Sequence, residues 1–388
     1  MSTLRNENFI AWGAETLGGL RRSDHPGFDY IVMNPPYRKL SSRDGDRLNL
    51  RAVGIEAPNL YAGFLALGAR LLAPGGQMVA ITPRSFANGP YFKSFRKDLL
   101  DRVGLRHIHV YDAHGEAFSD SRVLQENVVF RVRRSGARPA VKITSSHSPA
   151  SPETMSRTVP YCDVVRPGDP EHFIRLSTDP VEAEIAAAVS ALPATVAHLG
   201  ITVSTGKVVD FRSKEHLRDN PGDDTAPLVY PTHLTAGGVT WPKDGNKPNA
   251  LVRCVDTERM LLPSGCYVLV KRFSAKEERR RVVASMVSDA NLPGDFWAFE
   301  NHLNVMHDRH SGLDPAIAAG MAVWLNSTVV DVAFRQFSGH TQVNATDLRN
   351  MRYPTPDELV TLGSAAGTTD LSQVAIDALV VEHVAGIP

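Results

Sequence analysis

The sequence predicts an α/β protein in two parts. A doubly wound sheet is expected over residues 1–145, a connector over 146–195 and an α+β module over 196–388. Three observations predict this. Strand-like apolar runs alternate with amphipathic stretches of helix length between residues 28 and 132. One of those runs ends in a Pro-Pro corner, of the kind that lines the carboxyl edge of an open sheet. From residue 199 the pattern changes to short apolar runs separated by Gly, Pro and Asn turns.

Composition sets the outer limits. With 388 residues, 43% hydrophobic and 22% charged, the chain can bury more than one core. No apolar run reaches about 18 residues, and no apolar stretch follows Met1, so neither a membrane span nor a secretion signal is expected. The three cysteines, Cys162, Cys254 and Cys266, are far apart and not at metal-ligand spacing. They read as reduced thiols of a cytoplasmic protein, and no metal site is expected. Net charge is zero, but residues 1–150 carry 21 basic against 13 acidic side chains, and the remainder 21 against 29. A basic front half suits a phosphate backbone, and equally an ordinary solvated surface.

The stretch Phe28-Asp29-Tyr30-Ile31-Val32-Met33-Asn34-Pro35-Pro36-Tyr37 organises the first part. Residues 30–33 are a short apolar run that reads as a fully buried strand of a parallel sheet. The prolines stop the strand, fix their own φ and push the preceding residue into an extended conformation. The Asn34 side-chain carbonyl and the Pro35 backbone carbonyl can both accept from an exocyclic amine, while Tyr37 can stack on the ring that carries it. Such a corner would hold a nucleobase amine with its lone pair free to attack a methyl donor. The plainer alternative is a strand closed by a structural turn.

Residues 38–57 are polar, with Arg38, Lys39, Arg43, Arg47 and Arg51, and are expected to form a loop over a target strand that touches phosphates. Leu60, Phe64, Leu67 and Leu71 recur at helical spacing in 59–72, and 77–81 reads as the next strand. A second amphipathic helix is expected within 86–103, with Tyr91, Phe92, Phe95, Leu99 and Leu100 inward and Lys93, Arg96 and Lys97 outward. Strands are expected at 107–111 and 127–132, and a connector or edge strand at 135–160. Beyond a helix over 181–192 come the short runs 203–207, 227–231 and 266–271, then helices over 316–326 and 329–337.

On these residues the chain resembles a family, the gamma-class adenine-N6 DNA methyltransferases of restriction-modification systems. Leu60-Tyr61-Ala62-Gly63-Phe64, Leu72-Ala73-Pro74-Gly75-Gly76, Ile81-Thr82-Pro83-Arg84-Ser85-Phe86 and Gly115-Glu116-Ala117-Phe118 match in order and spacing. The resemblance implies a partial Rossmann-like class I methyltransferase sheet, with S-adenosylmethionine as cofactor and double-stranded DNA as partner. It implies that Asn34, Pro35, Pro36 and Tyr37 are the catalytic motif, and that Tyr37 and Phe118 sandwich an extruded adenine.

Two departures go with it. Asn6-Glu7-Asn8-Phe9-Ile10 resembles the end of the third sheet strand, where the family has an acidic cofactor contact. Here Asn8 stands in that place with Phe9 alongside. The Gly-rich cofactor loop of the family is not found: Pro74-Gly75-Gly76 follows a helix, and residues 199–206 have the wrong spacing. The expectation is a catalytic half without its main cofactor grip, as a split-gene product, a fragment or a decayed copy, with a second chain able to supply the loop.

The segment Ser338-Gly339-His340-Thr341-Gln342-Val343-Asn344 and its surroundings resemble the target-recognition domain of such enzymes. Gln342 and Asn344 could then pair with an adenine edge, and Lys207, Lys271, Arg272 and Arg335 could meet phosphates. The competing reading is that these polar side chains satisfy turn backbone groups. Two other functions stay open: a DNA-reading subunit that needs a partner to bind the donor, and a protein-glutamine methyltransferase, which shares Asn-Pro-Pro-Tyr but has no extended recognition module. No convincing nuclease arrangement is present.

Overall fold

A computed structural model describes residues 6–19, 27–111, 127–146, 151–176, 179–235, 238–273, 280–337, 342–367 and 372–388. The chain divides between Pro180 and Val181 into two compact units.

The first unit begins with helix α1 (Phe9–Leu17), which Asn8 caps, and strand β1 (Phe28–Met33). Helices α2 (Gly45–Ala52) and α3 (Leu60–Leu71) lead to strand β2 (Leu72–Pro83). Helix α4 (Lys93–Arg102) precedes strands β3 (Gly104–Tyr111), β4 (Asn127–Arg133), β5 (Val141–Ser146) and β6 (Glu153–Val159). A one-turn helix, α5 (Tyr161–Val164), follows β6. The six strands form one sheet in the order β1-β2-β4-β3-β5-β6. The β1/β2 and β3/β5 pairs are parallel, and the other three neighbours are antiparallel. The core lies between the sheet and α3 and α4, from Leu65, Leu67 and Met78 to Phe95, Leu99 and Phe130. Gly68 lets α3 approach closely, since a Cβ there would sit 2.9 Å from both Met33 Cε and Met78 Sδ.

Four expectations are corrected. Strand β1 is not fully buried: among the described residues it is an edge strand paired with β2 alone, and Tyr30 and Val32 are 75% and 83% exposed. Its other face, Ile31 and Met33, packs on the core. The polar stretch 38–57 is not a loop throughout. Asp44 caps α2, whose single fully buried side chain, Leu50, is too thin a stripe to read from sequence. In the segment leading through α4, Arg96 is fully buried and Tyr91 is 82% exposed, the reverse of the expected faces. Of the connector expected over 146–195, the first part is β6, the edge strand that was the other reading of 135–160, and Val164, Ile174 and Leu176 beyond it join the first core. Alternation along an edge strand of Ser, Thr and Arg is a weak signal.

The second unit opens with helix α6 (Pro180–Ala191). Short strands follow: β7 (Thr202–Thr205), β8 (Leu217–Arg218), β9 (Thr225–Val229), β10 (Leu234–Thr235), β11 (Gly238–Val239), β12 (Ala250–Val252) and β13 (Leu261–Pro263). Then come β14 (Tyr267–Lys271), β15 (Ala284–Val287), β16 (Phe296–Phe299) and β17 (Leu303–His307). They build a five-stranded sheet, β13-β16-β9-β12-β8, and a four-stranded one, β15-β14-β17-β7, beside the β10/β11 hairpin. Helices α7 (Pro315–Leu325), α8 (Thr328–Phe337), α9 (Ala345–Asn350), α10 (Pro356–Ala366) and α11 (Gln373–His383) complete it. Helices α7 and α10 touch backbone to backbone, because a Cβ on Gly320 would lie 1.8 Å from Leu359 O. Among the described residues no single helix is long and apolar enough to cross a membrane.

Candidate active site

The corner after β1 is built from both sides. Strand β1 delivers Asn34, and the chain beyond Tyr37 is tied to the entry of α3: Leu60 N donates to Arg38 O at 2.9 Å and Leu40 N to Pro58 O at 3.2 Å, around a bridge between Lys39 and Asn59. Asn59 then caps α3, accepting from Ala62 N at 3.1 Å. Pro35 is buried, whereas Asn34 and Pro36 are exposed and Tyr37 is half-buried. The Tyr37 hydroxyl donates to Asn34 Oδ1 at 3.4 Å, a long bond that leaves the amide free to re-pair. The Tyr37 ring stands edge-on to Tyr61, with centroids 6.0 Å apart and planes at 84°. Burial pushes the Tyr37 phenol above its ordinary range, so it stays a neutral donor.

Tyr61 is itself fixed. Its ring stacks on Phe92 at 5.6 Å and its hydroxyl meets Ser85 Oγ at 3.0 Å. Behind them Arg96 donates to Gly89 O at 2.7 Å, Phe86 O at 3.2 Å and Glu171 O at 2.9 Å. Its guanidinium is fully buried, and desolvation pulls its pKa down to about 10. A buried cation on three carbonyls holds the 84–92 segment against Tyr61, which in turn holds Tyr37. Sequence reasoning missed Asn59, Ser85, Phe92 and Arg96 as parts of this support. Asn before a helical stripe is a capping signal that could have found the first; the others have no local signal.

Arg38 points at acidic partners within the unit. It pairs with Asp44, whose carboxyl it holds below the usual carboxylate range, and with Asp46 at 3.2 Å. Asn8 accepts from Ile10 N and Ala11 N at 2.9 and 3.1 Å and donates to Asp46 Oδ1 at 2.9 Å. It is therefore a helix cap and not the end of a strand. Phe9 packs on Phe64 with ring centroids 4.9 Å apart. Phe118 lies outside the described residues.

Residues 2–118 match the family model of the Eco57I restriction-modification methylase. The chain is 42% identical over 376 residues to the type II methyltransferase M.BsuBI of Bacillus subtilis, covering 96% of this chain and 75% of that one. It is 41% identical over 375 residues to the type II methyltransferase M.PstI of Providencia stuartii, covering 96% and 74%. The chain belongs to the type II restriction-modification methyltransferases. It is a site-specific DNA methyltransferase of such a system. Among solved structures, the type IIL restriction-modification enzyme MmeI in complex with DNA shares the fold, with a TM-score of 0.54 over 87% of this chain and 48% of that one at 11% identity.

Methyltransferases of this kind draw on S-adenosylmethionine. The described residues of the first unit fit the acceptor side of that reaction better than the donor side. Both polar groups of the Asn8 amide are already engaged. Its glycines at positive φ are Gly19, Gly27, Gly54, Gly75 and Gly168, and none links the end of a strand to the start of a helix, where backbone can close on a donor.

In the second unit the methyltransferase gathers most of the expected DNA-contacting residues at one end of the four-stranded sheet. Lys271 ends β14 opposite Leu303, the first residue of β17, and Lys207 follows β7, whose Thr205 pairs with Asn304. Arg272 donates to Asn301 O at 2.7 Å and its carbonyl accepts from Val343 N at 2.7 Å, while Phe273 bridges to Gln342. Arg335 pairs with Asp331 at 2.7 Å, and Asp331 also accepts from Arg281 N. Asn344 stands at the N-cap of α9, where its backbone N–H donates to Asp347 Oδ2 at 2.8 Å.

Proposed function

We propose that this methyltransferase acts on the N6 amine of an adenine extruded from duplex DNA, with Asn34, Pro35, Pro36 and Tyr37 as the reacting corner. What carries the reading is the relation between Asn34 and Tyr37: an exposed amide carbonyl whose donor among the described residues is 3.4 Å away, beside a neutral phenol ring fixed edge-on by Tyr61. An incoming amine replaces that long bond at little cost. With the Asn34 and Pro35 carbonyls both accepting, the amine is turned and its lone pair leaves conjugation with the ring. Extrusion costs a few kcal/mol, and stacking on an aromatic returns about 1–3 kcal/mol per base. Tyr37 supplies one face, and Phe118 is the second ring that the resemblance calls for. S-adenosylmethionine supplies the methyl group when bound.

In this reading Lys207, Lys271, Arg272 and Arg335 meet phosphates with Arg38 and Lys39, and Gln342 and Asn344 face base edges. The protein works on DNA in the cytoplasm. The test is methylation of duplex DNA by the protein assembled with its donor: Asn34→Ala abolishes transfer while DNA binding persists. Full transfer by Asn34→Ala ends the proposal.

A second reading is favoured by the open edge of β1. Tyr30 and Val32 are exposed apolar side chains on one face of β1, and the outer backbone edge of that strand has no partner among the described residues, so a further strand can pair there. A segment carrying the donor grip, on this or another chain, would dock there, with Asn8 and Phe9 at its border. Calorimetric titration with S-adenosylmethionine decides: micromolar binding by the isolated chain defeats the partner-dependent reading.

A further inference from the structure

In the five-stranded sheet, edge strand β8 lies antiparallel on β12, with Leu217 opposite Leu251 and Arg218 opposite Ala250. The residue before β8 and the turn after β12 therefore come to the same place. His216 and Cys254 meet there, with Nδ1 3.8 Å from Sγ. One ligand atom each from His216, Cys254 and Asp256 all lie within 4.8 Å of one another. Tetrahedral zinc, with Zn–S about 2.3 Å and Zn–N about 2.0–2.1 Å, holds an S and an N donor roughly 3.5 Å apart. The thiol and imidazole are close to that spacing already.

Two further observations bear on how the donors are held. The other ring nitrogen, His216 Nε2, is 3.5 Å from Glu215 Oε1. A carboxylate on that side favours the tautomer with its proton on Nε2 and its Nδ1 lone pair toward Cys254, the arrangement usual in metal-bound histidines. The turn is also fixed: the buried Thr257 hydroxyl accepts from Cys254 N at 3.0 Å and donates to Val252 O at 2.6 Å. The spacing of the three cysteines did not show this, because the partners of Cys254 come from a different strand end.

We propose that His216, Cys254 and Asp256 form a zinc site, with water as the fourth ligand, that clamps the two-residue strand β8 onto β12. A thiolate, an imidazole and a carboxylate suit zinc and not magnesium or calcium, which take oxygen. On binding, the Cys254 thiol gives its proton to solvent and its sulfur pairs with the metal, so affinity rises with pH.

The experiment uses the full chain, stripped with chelator and titrated anaerobically with cobalt chloride and then zinc chloride. One equivalent of cobalt gives a thiolate-to-metal charge-transfer band that one equivalent of zinc abolishes. Cys254→Ser loses the band, Asp256→Asn weakens zinc binding by about tenfold or more, and Cys162→Ser changes neither. The stripped wild-type protein is the metal-free reference for folding, followed by circular dichroism. Absence of the band in the wild type, or its persistence in Cys254→Ser, overturns the proposal.

Discussion

Asn8 and Arg38 meet on one carboxylate: Asn8 Nδ2 donates to Asp46 Oδ1 at 2.9 Å and Arg38 Nη2 to Asp46 Oδ2 at 3.2 Å. This ties the start of α1 to the residue that follows Tyr37. Asp46→Ala leaves the Asn8 cap of α1 and the Arg38–Asp44 pair in place, so it isolates the link. Ion pairs this exposed contribute little to stability, and the melting temperature should hardly move. The segment after the corner should loosen, raising KM for DNA about threefold to tenfold with kcat nearly kept. Steady-state methylation with the assembled protein checks the split.

Arg96 is the opposite case, a guanidinium with no exposure and three carbonyl partners. Arg96→Met keeps the stem but strands Phe86 O, Gly89 O and Glu171 O. Losing one member of a buried charged network costs about 3–5 kcal/mol. Urea denaturation should show that loss, with an unchanged m-value. Because the same guanidinium holds the segment behind Tyr61, methylation at temperatures where the variant is folded should also fall.

That corner and its support differ in how far sequence could reveal them. Asn34 to Tyr37 act through local backbone restriction by two prolines, so their conformation is written in four adjacent letters. The apolar run of β1 says only that its side chains prefer cover, and in this unit Tyr30 and Val32 have none. Arg96 belongs outward by residue type, since cations are rarely buried; its three carbonyls come from residues 7, 10 and 75 positions away. The capping role of Asn8 fits the ordinary propensity of asparagine, which the resemblance to a larger family outweighs when only the letters are in view. In the second unit the strand-rich character is legible from turns, while α10 and α11 escape the same reading.

The sheet end that carries Lys207 and Lys271 makes a salt-dependence prediction. A lysine that neutralises one phosphate contributes about 0.9 to the slope of log K against log salt on duplex DNA. Lys271→Ala should therefore weaken binding similarly for cognate and non-cognate duplexes and lower the slope by about one. Gln342→Ala should instead relax discrimination between sequences and leave the slope alone. Fluorescence anisotropy at several salt concentrations measures both.

His307 gives the second unit an acid limit. Its ring is buried, Nδ1 accepts from His310 N at 2.9 Å, and Nε2 meets Ser204 Oγ at 3.0 Å. Protonating Nδ1 would break the bond to His310, and the stacked His310 ring and Lys207 add to the cost. Desolvation first, then these neighbours, pull the pKa from 6.5 to about 4. Between those values the unfolded chain binds a proton that the folded one refuses, so stability rises with pH across the window and is lost as pH falls from 6.5 toward 4. At 1.36 kcal/mol per unit the loss is about 3 kcal/mol at most. His307→Gln cannot titrate and keeps both a donor and an acceptor. Its melting temperature should start lower near neutrality but change less between about pH 7 and 4 than that of the parent, and an equal slope in the two proteins would remove His307 as the cause.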